Sequence, residues 1–349
     1  MIDVRTYREG GQPAVEVAET IAEFLSGAQR SLDLAHYDFN LLDEPAEIVG
    51  GAIRAAHARG VAVRIIYDVG HRNPIPVPPP PEPDAQLIAT LGVAHKPIAG
   101  VPDLMHHKYV VRDGETVWTG SMNWTNDSFS VQENVVAIVE SSDVAAAFTE
   151  DFEQLWTTGI VEQSGFVDPR TLNVGGTPVR VWFTPGNGEE LSARIARAIS
   201  RAKRRVRIAS PVITTGAVLG ALAQVSSEEK IDLAGVVDQT QLRGVVYEWS
   251  RNGNIFWKLP LLRRALADGF TGKRSQAWRP DGGIHDFMHA KVTVADDTLF
   301  VGSYNLSRSG ELNAENVLEI ESPELAERVV AYVDEVRALY PAVELEEER

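Results

Sequence analysis

Two short stretches of the 349-residue chain carry the side chains with the most chemistry to offer. The first begins at Met105 as "MHHK", passes Asp113 and reaches "GSMN" at 120–123. The second begins at Met288 as "MHAK", passes Asp296 and reaches "GSYN" at 302–305. Each sets a histidine and a lysine two positions apart: His106 with Lys108, and His289 with Lys291. On an extended strand, residues i and i+2 face the same way. "KYVVRD" and "KVTVAD" are β-rich, and Asp113-Gly114 is a hairpin signal. The pattern predicts a strand, a tight turn and a return strand. The return brings Ser121 and Asn123, or Ser303 and Asn305, beside the imidazole and the ammonium. Cationic and neutral donors on one surface suit the equatorial oxygens of a phosphate, with a histidine in line with phosphorus.

One such cluster is a weak signal, because a lone histidine on a strand is more often structural than catalytic. The second copy changes the weight. His106 and His289, Lys108 and Lys291, and Asp113 and Asp296 are each 183 apart. Ser121 and Ser303, Asn123 and Asn305, Glu133 and Glu315, and Asn134 and Asn316 are each 182 apart. Packing of a duplicated hairpin does not require agreement at seven positions. Two histidines also fit one mechanism. One attacks phosphorus to form a phosphohistidine; the other protonates the leaving oxygen and later deprotonates water. They must work on opposite faces of one phosphorus, so the two halves are expected to converge on a central cleft about a pseudo-twofold axis. Ala290 stands in the second copy where His107 stands in the first. His106 is therefore the shared position, and His107 is expected to point away from the cleft.

The elements around the motifs repeat as well. "VAETIAEFLSGAQRSLDLAHYDF" and "LSARIARAISRAKRRVRIASPVI" each read as an amphipathic helix followed by a strand. "AIRAAHARGVAVRIIYDV" and "ALAQVSSEEKIDLAGVVD" repeat that order and end their strands at Asp68 and Asp238. After each GSxN come an Asn-containing pair, an apolar strand and a helix. This alternation argues for an α/β sandwich in each half. The turn-rich stretch at 164–179 sets the division, giving expected domains at 1–170 and 171–349. The proline run at 73–84 is expected to be an extended surface loop, and the tail "ELEEER" a solvated end.

Hydrophobic residues make up 44% of the chain and charged residues 23%, as in a globular protein with a sizeable core. There is no cysteine, which excludes disulfides, thiolate catalysis and Cys-ligated metals. The N-terminus shows no secretory signal and no segment is apolar enough to span a bilayer, so a cytoplasmic location is expected. The net charge of −16 repels polyanions at long range unless cations gather locally. The basic run at 194–207 reads as a solvated helix face or, alternatively, a lead-in for a polyanion. His36, His57, His71 and His95 stand singly and read as surface or structural residues. His285, four before His289, is a candidate to line the cleft.

The doubled HxKxxxxD and GSxN motifs resemble those of the phospholipase D superfamily, and the resemblance covers nearly the whole chain. It implies two tandem α/β/α sandwich domains packed as a pseudo-twofold dimer within one chain, with one active site between them. It also implies phosphodiester chemistry without a metal or other cofactor, in a monomer with an internal pseudo-dimer. Carried over position by position, the catalytic set is His106, Lys108, Asn123, His289, Lys291 and Asn305. His106 takes the nucleophile's place and His289 the acid's. Glu133 and Glu315 match the place of a glutamate that orients a catalytic histidine, and Ser121 and Ser303 belong to the supporting shell. Asp113 and Asp296 stand where each hairpin turns and are expected to serve folding. The second return is one residue shorter, which makes Asp297 an alternative for that turn.

The shared core leaves the substituents on phosphorus open. A phospholipid would need an apolar route, for which "NIFWKLPLL" at 254–262 is the candidate, with Trp249 and Trp278 nearby; the competing reading buries these aromatics in the core. A nucleic acid would need a basic groove and stacking rings, for which "LLRRALADGFTGKRSQAWRP" is the candidate. The acidic charge and the apolar segment place phospholipase D-type hydrolysis first and a nuclease second. An idle binding module ranks last, because His, Lys and Asn are intact in both copies.

Overall fold

A computed structural model describes residues 1–70, 83–276 and 285–345. Most of the proline run, His71, Trp278 and the last four residues of the acidic tail lie outside the described residues. Two sheets carry the chain. The first orders its strands Ile2–Tyr7, Asn134–Glu140, Thr116–Gly120, Lys108–Arg112, Ser31–His36, Ala62–Val69 and Ala94–Ala99. The second orders them Leu172–Val174, Thr177–Thr184, Glu315–Glu321, Thr298–Gly302, Val292–Ala295, Arg205–Ser210, Asp232–Asp238 and Phe270–Lys273. Apart from the extra edge strand Leu172–Val174, the two orders follow one plan. In both, the last three strands run parallel and the others pair antiparallel.

Helices flank each sheet, as the alternating pattern requires. Helix Ala14–Ser26 buries Val17, Ile21, Phe24 and Leu25, and helix Gly188–Arg201 buries Leu191, Ile195 and Ile199. Those spacings place one apolar stripe on each helix against its sheet. The helices after the last strand of each motif, Ser142–Thr158 and Pro323–Arg337, start in the same way. The Ser141 and Ser322 hydroxyls accept from the amides of Val144 and Leu325. These two helices help form a core that belongs to both halves, in which Phe148 and Phe152 share one buried cluster with Phe183, Val292, Val329 and Val333. Two further clusters lie within single halves. The halves are thus joined by apolar burial, which is what a pseudo-dimer within one chain needs.

Each hairpin turns at its motif aspartate. Asp113 and Asp296 adopt left-handed φ values of 57° and 52°. Asp113 accepts from the amides of Gln29, Arg30 and Ser31, at 2.6 to 3.1 Å. Asp296 accepts from those of Lys203, Arg204 and Arg205, at 2.8 to 3.1 Å. Each carboxylate ties the hairpin to the loop that enters the neighbouring parallel strand. Asp296 keeps this place in the shorter return, while Asp297 pairs with Arg204 at 2.6 Å.

The glycine of each GSxN is required by close approach. A Cβ on Gly120 would stand 2.2 Å from the Val135 carbonyl oxygen, and one on Gly302 would stand 2.0 Å from that of Asn316. These contacts also fix the register between the halves. Gly120 pairs with Val136 and Gly302 with Val317, so from here the counterparts are 181 apart. The 182-residue match of Glu133-Asn134 to Glu315-Asn316 is therefore displaced by one. Asn134 is the spatial counterpart of Glu315, and Glu133 that of Ala314. The first half carries one extra residue between its short helix Asn126–Ser130 and strand Asn134–Glu140, compared with helix Arg308–Leu312 and strand Glu315–Glu321 of the second half.

Candidate active site

Both motif histidines sit just ahead of their strands, in segments that cross from one half to the other. Met105 bridges to Ala314, and Met288 to Glu133. The His106 amide donates to the Ala314 carbonyl at 2.9 Å. Asp68 and Asp238, the residues near the ends of the second parallel strands, accept from the amides of Met105 (2.8 Å) and Met288 (3.1 Å). Chain topology thus carries His106 and His289 into the same buried interface, 6% and 5% exposed.

The lysines follow the period-two expectation. Lys108 Nζ donates to the His106 carbonyl at 2.7 Å, and Lys291 Nζ to the His289 carbonyl at 2.8 Å. Both lysines are buried. Burial pushes Lys108 down to about 7, with Glu315, Asp38 and Asp68 pulling the other way. Burial, then the Lys108 charge, holds Lys291 well below its ordinary value. His106 and His289 are also held well below theirs, by burial first and the two lysines next. The Asn123 and Asn305 Oδ1 atoms are buried without a protein partner among the described residues.

The two imidazoles differ in what holds them. His106 Nδ1 lies 2.8 Å from Glu315 Oε2, a contact that crosses the halves. Burial pushes the Glu315 carboxyl up to about 8, against the pull of Lys108, Ser303 and Lys291. His289 Nδ1 instead lies 3.1 Å from Asn134 Oδ1. That carboxamide is oriented by its own bonds. Its Nδ2 donates to the Ser128 carbonyl and hydroxyl, and its Oδ1 accepts from Ser121 at 2.7 Å. An oxygen therefore faces His289 Nδ1, which must carry the proton and leave the Nε2 lone pair free. In its ionised form Glu315 selects the same tautomer for His106.

Glu133 does not take the orienting place expected of it. Its buried carboxylate receives Lys273 Nζ at 2.9 Å and the Tyr340 hydroxyl at 2.5 Å. The one-residue displacement turns Asn134 toward His289 in its stead. Ser121 and Ser303 stand behind the site: their hydroxyls accept from the amides of Val135 and Asn316, each at 3.0 Å. His107 points away from the lysine side, as expected. It is fully buried, with Nε2 3.0 Å from Asp151 and Nδ1 3.2 Å from Asn316 Nδ2.

Several contributors carried no sequence signal of their own. Tyr37 lays its ring 4.5 Å from that of His106 and beneath Lys108 Nζ at 4.8 Å. Asn134 was legible only as part of a repeated pair. His285 stacks on Phe287, whose ring centroid is 5.4 Å from that of His289, so the candidate histidine does border the site. His36 is fully buried against Trp124.

The chain belongs to the phospholipase D-like family. The family model described as "Cardiolipin synthase, PLD-like domain" matches residues 21–156 and 195–337, one stretch in each half. Among curated proteins, the chain is similar to the mitochondrial cardiolipin hydrolase of Xenopus laevis, 33% identical over 149 residues. Those residues are 43% of this chain and 61% of that protein. It is similar to the human protein of the same name, 30% identical over 139 residues, 38% of this chain and 48% of that one. The matches thus cover less than two thirds of either relative. Among solved structures, it is similar to phosphatidylserine synthase of Haemophilus influenzae, with a TM-score of 0.65 at 15% identity over 96% of this chain and 86% of that one. It is also similar to polyphosphate kinase of Porphyromonas gingivalis, with a TM-score of 0.58 at 13% identity over 95% of this chain and 46% of that one. At such identities the likeness concerns the fold. Among the described residues, no helix is long and apolar enough to cross a membrane.

Proposed function

We propose that the protein hydrolyses the headgroup phosphodiester of a phospholipid through a covalent phosphohistidine. The carrying observation is electrostatic. Two lysines and two imidazoles meet in one buried site; burial drives all four toward their neutral forms, and neighbouring cations add to this for Lys291 and both imidazoles. Such a site is stabilised by an incoming anion, and a phosphodiester supplies one negative charge with two oxygens to share between Lys108 and Lys291. The carboxamides of Asn123 and Asn305 add neutral donors.

In the proposed reaction, His106 Nε2 attacks phosphorus. The bond to the leaving oxygen breaks, and that oxygen takes a proton from Nε2 of His289, which the charge of the bound phosphodiester has brought to its imidazolium form. Neutral His289 then accepts a proton from water as the water oxygen attacks phosphorus and releases His106. Glu315 on Nδ1 stabilises the positive charge that His106 gains, which suits the nucleophile. Asn134 on His289 Nδ1 accepts a hydrogen bond but no proton, which leaves His289 free to exchange its proton at Nε2. The chain's own cations balance the charge, so activity persists in EDTA.

The phospholipid is favoured by how much of the basic runs' charge is answered by carboxylates within the chain. In the 194–207 run, Arg194 is held by Glu319, Arg204 by Asp297, Arg205 by Glu327 and Arg207 by Asp232 and Asp334. In the other run, Lys273 is held by Glu133 and Glu9, and Arg274 by Glu344. The names of the similar hydrolases point to a diester lipid of the cardiolipin kind. The test compares cardiolipin and phosphatidylcholine vesicles, single- and double-stranded DNA, RNA and a chromogenic diester, all in EDTA. His106→Ala and His289→Ala serve as controls. Lipid cleavage lost in both variants supports the reading; cleavage of nucleic acid alone, or a strict need for a divalent metal, overturns it.

A further inference from the structure

The apolar segment considered for lipid contact divides in the structure. Trp249, Leu259 and Leu262 are buried in the second half's core. Phe256 and Trp257 face out, 54% and 57% exposed, on the turn between helices Gln239–Arg251 and Lys258–Ala265. Tyr247 is 61% exposed on the first of these helices. Among the described residues, three of the four strongly exposed aromatic side chains thus fall within positions 247–257, the other being Phe166. Along the sequence, the charge next to these rings is of one sign. From 249 to 267 the chain has Arg251, Lys258, Arg263 and Arg264 and no acidic residue, in a protein whose total is −16.

The turn is tied to the second motif. Lys258 Nζ donates to the Thr214 carbonyl at 3.2 Å. The amides of Thr214 and Thr215 in turn donate to the carbonyl of Leu306, the residue after Asn305. In the first half, the same connection between parallel strands contains the proline run and the short helix Ala85–Thr90.

We propose that Phe256 and Trp257, with Lys258 beside the Trp257 ring and Arg263 close by in sequence, are an interfacial anchor that seats this chain on an anionic phospholipid surface beside its active site. Adjacent aromatic rings on a turn enter the headgroup layer, and the cations meet its charge. The rest of the protein is repelled by the same surface, so attachment is local, oriented and weakened by salt. Pro260 and the half-buried Leu261 extend the apolar side of the turn, which favours a bilayer over stacked bases. The anchor rests on the phospholipid reading and names the surface on which that substrate is met.

The test is flotation of the 349-residue chain with vesicles of phosphatidylcholine alone or mixed with phosphatidylglycerol. Wild type is compared with a Phe256→Ser, Trp257→Ser double variant whose folding is checked by circular dichroism and thermal melting. The wild type is expected to float with the anionic vesicles only, and less so at high salt. The double variant should lose about tenfold or more of that binding, and its ratio of vesicle to soluble-diester activity should fall in step. Equal flotation of the two proteins, equal binding to neutral vesicles, or oligonucleotide binding lost in the double variant would overturn the anchor. The two readings fail separately. Recruitment through the rings without lipid cleavage removes the substrate and keeps the anchor. Cleavage of detergent-dispersed lipid with undiminished flotation of the variant removes the anchor alone.

Discussion

The two halves present their histidines through the same backbone plan and support them with different chemistry. In one, Glu315 reaches across the interface to His106 Nδ1; in the other, the spatially equivalent Asn134 reaches His289 Nδ1. The position next door differs as well: Ala314 is small and apolar, while its counterpart Glu133 is a buried acid answered by Lys273 and Tyr340. A single extra residue produces both differences. Because side chains alternate along a strand, a slip of one exchanges which residue faces the site. The lesson is that a pseudo-twofold scaffold needs little sequence change to make two copies of one motif unequal.

The sharpest way to break this comparison is to remove each imidazole. In the proposed mechanism, His106→Ala abolishes the covalent intermediate and lowers turnover on the order of 10⁴-fold for every leaving group. His289→Ala costs on the order of 10²- to 10⁴-fold with an alcohol leaving group, but retains a phosphoenzyme burst with a nitrophenyl ester, which departs without a proton. Rapid-quench trapping reads this directly; phosphate found on His289 would reverse the two roles.

The Glu133–Ala314 contrast is tested on stability. Glu133→Gln leaves the buried Lys273 ammonium with less compensation, and is expected to cost about 3–5 kcal/mol in urea unfolding. Glu133→Leu combined with Lys273→Met should recover most of it. A loss below about 1 kcal/mol for the single change would show that the pair does not hold the halves together.

Changing the partners of the histidines makes the contrast adjustable. Glu315→Gln should lower turnover on the order of 10²-fold while leaving His289-dependent leaving-group effects in place. Asn134→Asp gives His289 the kind of partner His106 has. It should raise His289's hold on its proton and move the basic limb of the pH–rate profile upward. An unmoved limb would mean that the Nδ1 partner does not tune His289.

The smallest effect is expected in anion binding. Lys108 is depressed to about 7 in the fold from 10.5 unfolded, so between those values the unfolded chain binds more protons. This lysine therefore makes the anion-free protein more stable as pH rises through that window. Affinity for an anion runs the other way, being strongest below about 7 and falling as Lys108 loses its proton. Tungstate titrations at pH 6 and 8.5 should differ about tenfold, and a pH-independent affinity would remove Lys108 from the anion's contacts.

The chemistry-bearing residues were legible because their signals are local. A histidine and lysine two apart and an Asp at a hairpin turn each follow from backbone geometry over a few residues. Duplication of that geometry made a shared site between the halves the natural expectation. The partners of the histidines were not legible in the same way. The repeated Glu-Asn pair suggested two orienting glutamates, but strand pairing set the register one residue away. The aromatic segment reads as one apolar run in sequence, yet Trp249 packs into the core while Phe256 and Trp257 remain outside. By itself, the sequence determined the scaffold, its doubling and the His-Lys-Asn sets, since these depend on residue type and short spacing. Which imidazole meets a carboxylate, and which ring meets solvent, was decided only by tertiary structure. Both depend on how sheets and helices far apart in the chain come to rest against one another, which no local pattern records.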